Sequence, residues 1–143
     1  MIEAMNKALD GMKQRHHITA FNLIGYSGGG TVSVLLAARR DDVISLRTVA
    51  GNLDHKLQSH IHKVSMMPYS LNAKDSAQDI SDIPQIHFVG AQDKIVPIDI
   101  AESYKKSARS HCIKNKIVSN VKHHKGWTEN WLTHLNEPLP TCS

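Results

Sequence analysis

The sequence predicts an α/β fold: a parallel sheet of about four strands flanked by helices. Three observations carry this. Segments of helical periodicity alternate with short apolar, β-branched runs, and that alternation implies right-handed crossovers and a parallel sheet covered on both faces. Gly, Asp or Pro punctuates most of the boundaries. The 143 residues, 41% hydrophobic and 21% charged, suit one domain with a core of its own. Residues 1–137 are read as that single domain and 138–143 as a loose tail.

Residues 1–15 read as an amphipathic helix, since Ile2, Met5, Leu9 and Met12 share one face at spacings of three and four. The apolar run 20–24, ended by Gly25, suits a strand buried on both faces. Residues 28–40 return to helix through Val32, Leu35 and Leu36 until Asp41 and Asp42 break it, and 43–50 is a β-branched second strand. The stretch 51–83 is the least regular, rich in Asn, Ser and Asp, with a short helix near 75–80. So long an irregular segment in a compact domain marks a ligand-facing region. A third strand spans 84–89, Pro97 opens a helix to about 109, 113–121 holds the fourth strand and 127–135 a last helix.

Composition excludes several classes. No apolar stretch nears the ~20 residues that cross a bilayer; the longest, 32–38, contains Ser33 and stops at Arg39. The net charge of +4 comes from scattered pairs such as Arg39–Arg40 and Lys105–Lys106, without the aromatic-interleaved stripe of a nucleic-acid surface. Cys112 and Cys142 are too few for a disulfide scaffold, so core burial must hold the fold, and Cys112 reads as a buried hydrophobe rather than a reactive thiol. The N-terminus lacks a basic stretch followed by an apolar one, so no signal peptide is read and a cytoplasmic location is the default, although an upstream extension could carry an export signal.

Gly25-Tyr26-Ser27-Gly28-Gly29 fits Gly-x-Ser-x-Gly at a strand end that opens a helix, the setting in which a serine projects from a strained turn. The helix N-terminus behind Ser27 offers free N–H groups, with that of Gly28 the natural first oxyanion donor. An ordinary Gly-rich turn or an anion-binding loop is the plain alternative. A serine needs a base, and the base an orienting group. Asp93 follows the third strand, where it could also be a turn or capping residue. His123 and His124 follow the fourth. The order Ser, Asp, His is that of α/β-hydrolases.

These residues, with Thr48 to His55, His87 to Gly90 and Val96-Pro97, resemble the C-terminal part of an α/β-hydrolase, within a bacterial subfamily of serine hydrolases. The resemblance implies Ser27 as nucleophile, Asp93 as triad acid and a histidine after the last strand as base. That histidine stands four residues before one tryptophan of a pair spaced by four; Trp127 and Trp131 match, which selects His123. It further implies a carboxylic ester or related acyl substrate, an oxyanion and substrate site at Gly28 and Tyr26, no metal and no cofactor. Acyl transfer to an acceptor other than water would use the same residues. The family pattern also places several strands, and usually a second oxyanion donor, ahead of the nucleophile, and nothing in residues 1–19 supplies them. The nucleophile strand is then expected at an exposed sheet edge open to self-association, and an inactive domain serving in binding or assembly is the alternative function.

Asn52, Leu53, Asp54 and His55 either line the pocket or form a turn. Met66, Met67 and Tyr69 could wall an acyl site, or pack in the core. His55, His60 and His62 lack partners for a metal set, and His16-His17 read as solvated.

Overall fold

The computed structural model describes residues 1–65 and 70–143. The elements run α1 (Ile2–His16), β1 (Phe21–Tyr26), α2 (Gly28–Ala38), β2 (Val43–Val49), α3 (His55–Ile61), two 3₁₀ turns (Ala73–Ser76 and Gln78–Ile80), β3 (Gln85–Gly90), α4 (Ile98–Ala108), β4 (Ile113–Val118) and α5 (Trp131–Leu135). All four strands are parallel, in the order β1-β2-β3-β4. Sequential order with right-handed crossovers puts the connecting helices on one face. Val34, Leu46, Ile100 and Tyr104 fill the core there. On the other face Val49, Ile86, Phe88 and Val121 pack with Trp127, and Trp131 and Leu139 lean on them. Among the described residues no helix is long and apolar enough to cross a membrane.

β1 departs from the expectation of burial on both faces. Phe21 and Gly25 are buried, but Asn22, Ile24 and Tyr26 are exposed. Strand order explains this, because β1 comes first and, among the described residues, pairs only with β2. The C-terminal segment covers β2 and β3 on that face and does not cover Ile24. The irregular stretch also holds a helix the sequence did not announce: Asp54 caps α3, accepting from the Leu57 N–H at 3.2 Å. The last helix is shorter than expected, starting at Trp131 rather than at 127.

α1 contributes no buried residue, so a polar clasp holds it. Arg40 donates to both Asp42 oxygens at 2.8 Å, to the Asn6 side chain at 2.7 Å, and pairs with Asp10 at 2.9 Å. The hydrogen bonds from Arg40 hold the nearly buried Asp42 carboxyl down at about 2. A carboxylate depressed on folding contributes stability above its unfolded pKa and loses it as pH falls through the folded value. Asp42→Asn should therefore cost about 2 kcal/mol at pH 7. Urea unfolding curves of variant and wild type should converge between pH 4 and pH 2; a pH-independent gap would refute the clasp.

Polar residues in the core of β2 and β3 satisfy one another. Gln85 donates to the Ile80 carbonyl, so its side-chain oxygen accepts from Tyr104 at 2.9 Å and from His87 Nε2 at 3.1 Å. His87 Nδ1 then accepts from Thr48, 2.7 Å away. Complete burial lowers the His87 pKa to about 3 and keeps the ring neutral. The C-terminal residues 138–143 form no helix or strand. Cys142 is disulfide-bonded to buried Cys112, and Glu137 pairs with Lys114 and Lys116 on β4. Cys112 is thus buried, as its setting beside β4 predicts, but it is also cross-linked, which the sequence does not predict.

Candidate active site

Ser27 occupies the single residue between β1 and α2, at φ 53° and ψ −119°. That conformation is costly for a residue with a Cβ and persists only when its surroundings fix it. Here the Ser27 N–H donates to Val49 O at 2.8 Å, while its carbonyl accepts from Gly30 at 3.0 Å and Asn52 at 3.1 Å. Gly25 is obligatory, since a Cβ there would lie 2.2 Å from the Gly29 carbonyl oxygen. Gly29, the other glycine of the motif, has no such constraint, since its Cβ would meet open space. Crowding falls one residue later, at Gly30, 3.0 Å from the Gly51 Cα. Among the described residues the Gly28 N–H has no hydrogen-bond partner.

The turn after β3 places Asp93 beneath the same sheet edge. Its Oδ1 accepts from the Ile95 and Val96 N–H groups at 2.9 and 2.8 Å, which leaves Oδ2 for His123 Nδ1 at 2.8 Å. With the proton on Nδ1, His123 Nε2 faces Ser27 Oγ at 3.0 Å as an acceptor. Ser27, His123 and Asp93 thus form one hydrogen-bonded chain, brought by three separate strand ends. Asp93 and His123 are both buried.

His124 turns the other way. The Tyr26 hydroxyl donates to the His123 carbonyl at 2.8 Å, so its oxygen accepts from His124 Nδ1 at 2.9 Å. Trp127 Nε1 donates to the same carbonyl at 3.2 Å. The histidine loop is therefore tied to the residue before the serine. Two glycines admit it: a Cβ on Gly90 would lie 2.5 Å from Val121 O, and Gly126 turns the chain at φ 100°. The tryptophan pair had marked His123, but nothing in the sequence announced the bonds from Trp127 and Tyr26.

Other expected residues give support, and Asn52 and His55 also border a cavity of about 780 Å³. Asn52 braces the Ser27 carbonyl through its N–H, Leu53 is buried, and Asp54 caps α3 and accepts from Asn72 and Ser103. His62 Nε2 meets the Ile95 carbonyl at 2.7 Å. Met66, Met67 and Tyr69 lie outside the described residues.

No family model matches the chain, and no curated protein matches it. Solved structures do. It superposes on the Pyrococcus furiosus esterase Pf2001 with a TM-score of 0.75 at 10% identity, covering 94% of this chain and 59% of that one. A monoacylglycerol lipase from Paleococcus ferrophilus matches with a TM-score of 0.69 at 14% identity, covering 94% and 73%. An alpha-beta serine hydrolase homologue from Coxiella burnetii matches at 0.67 and 18%, covering 94% and 54%. The chain has the α/β-hydrolase fold. It spans little more than half of the Pyrococcus and Coxiella structures. Within this α/β-hydrolase fold the bonded Ser27, His123 and Asp93 all lie just beyond strand C-termini, where open α/β sheets place their sites.

Proposed function

We propose that the chain is a serine hydrolase of carboxylic esters or related acyl compounds, acting through an acyl-enzyme. The carrying observation is the chain of contacts from Ser27 Oγ through His123 to Asp93, at 3.0 and 2.8 Å. Ser27 Oγ attacks the acyl carbon while its proton passes to His123 Nε2. Asp93 holds the Nδ1 proton and stabilises the imidazolium. The Gly28 N–H, at the N-terminus of α2, receives the developing oxyanion. Collapse expels the alcohol with the proton from His123, and water repeats the cycle to release the acid. Tyr26 borders this site and positions the histidine loop. The test is p-nitrophenyl butyrate hydrolysis with a burst of nitrophenol, lost in Ser27→Ala; equal turnover by the variant overturns the proposal.

Removing the Tyr26 hydroxyl frees the His123 carbonyl of one of its two donors. Tyr26→Phe should lower kcat about tenfold with little change in KM, the size of a lost hydrogen bond that orients a base. Faster amide exchange confined to residues 122–125 would trace the loss to the loop; unchanged exchange and kcat would contradict the assignment.

One observation favours a second reading. The outer side of β1 pairs with no strand among the described residues, and Ile24 and Ile44 are exposed beside it. Such an edge suits a binding or assembly role through strand addition. A monomer with ester turnover refutes that reading, and an inactive oligomer supports it.

A further inference from the structure

A cavity of about 640 Å³ borders His123, within the range of small-molecule sites. The turn after β3 supplies one wall through Lys94 and Ile95, and the loop after β4 supplies the other through Lys122, His123, His124 and Lys125. Among the described residues no carboxylate lines it. Asp93, the nearest in sequence, has no exposed side-chain surface and directs both oxygens to His123, Ile95 and Val96. Among the described residues none of the three lysines joins an ion pair, although every lysine of β4 does. Both walls are fixed. The Ile95 carbonyl accepts from Gln58 and His62 while its N–H donates to Asp93, and the histidine loop closes on a bond from Lys122 to Lys125.

We infer that the preferred ester carries an anionic group, a carboxylate or phosphate, seated among Lys94, Lys122 and Lys125. This rests on the hydrolase reading of the same site. Three lysines without an ion-pair partner among the described residues border one cavity, and an anion seated there is attracted by all three. Ile95 and the lysine stems provide apolar walls for the chain that bears the charge. Lysines rather than arginines line the site, so the cavity recognises charge without imposing a planar, bidentate geometry.

Paired substrates test this: the p-nitrophenyl monoester of glutarate and its methyl-capped, neutral counterpart. The expected result is a higher kcat/KM for the anionic ester at low salt. Lys94→Met, Lys122→Met and Lys125→Met should each lower the anionic-to-neutral ratio about two- to fivefold, the effect of one partly exposed ion pair. Lys56→Met, an equal charge change elsewhere, should not move the ratio. Raising salt from 10 to 150 mM should shrink it, as the screening length falls from about 30 to about 8 Å. Glutarate and inorganic phosphate as competitors distinguish carboxylate from phosphate preference. A wild-type preference for the neutral ester, or a ratio kept in the triple Met variant, overturns the inference. If neither ester turns over, the hydrolase reading fails by itself; glutarate or phosphate shifting the amide resonances of residues 122–125 in Ser27→Ala would still support the anion site, and no shift with either would overturn it.

Discussion

His123→Ala should lower kcat/KM for p-nitrophenyl butyrate by about 10⁴-fold or more, whereas His124→Ala should cost less than tenfold. Adjacent and identical in type, the two histidines differ only in what the fold does with them. His123 lies between Ser27 Oγ and Asp93 Oδ2, within hydrogen-bond reach of both. His124 is exposed, packs edge-on against the His123 ring, and among the described residues hydrogen-bonds to the Tyr26 hydroxyl, a bond that steadies the loop without touching the serine. Neither change should unfold the chain, because the loop keeps the Trp127 bond to the His123 carbonyl and the turn at Gly126. Comparable losses in the two variants would mean that the histidines act together, or that the loop collapsed; circular dichroism separates these cases.

Asp93→Asn should have a similarly large effect through a different cause. An asparagine can keep its carbonyl oxygen on the Ile95 and Val96 N–H groups, which preserves the turn. Its NH₂ then faces His123 Nδ1 and can only donate. The imidazole must carry its proton on Nε2, pointed at a hydroxyl from which it should accept. A loss of about 10⁴ in kcat with little change in stability is the signature of a wrong tautomer. Asp93→Ala, by contrast, should also destabilise, since it leaves both N–H groups without their acceptor. Equal kcat in Asp93→Asn and wild type would remove Asp93 from the mechanism and leave it as a turn residue.

The legible parts of the molecule were those that depend on short-range pattern. Four parallel strands followed from apolar runs, two of them ended by Gly25 and Gly90, alternating with helices, one of which Asp41-Asp42 break. Ser27, Asp93 and a histidine after β4 followed because each stands just past a strand, where side chains converge. What stayed hidden depends on long-range partners. Burial of β1 could not be read from its apolar letters, because a run such as Phe21 to Ile24 looks the same at an edge as in the middle of a sheet. α3 is polar enough to pass for a loop until Asp54 is seen capping it and accepting from Asn72 and Ser103. The Tyr26 bond to the histidine loop joins residues 97 apart, and the Cys112–Cys142 bridge spans 30. Neither separation leaves a local trace.

The most direct test of the central claim is covalent. A fluorophosphonate added to the folded protein should phosphonylate a single residue, mapped by peptide mass spectrometry to Ser27, at a rate that falls at least a thousandfold (roughly the loss of a general base) in His123→Ala. Labelling spread over other serines, or a rate at Ser27 indifferent to His123, would contradict a nucleophile activated by that imidazole.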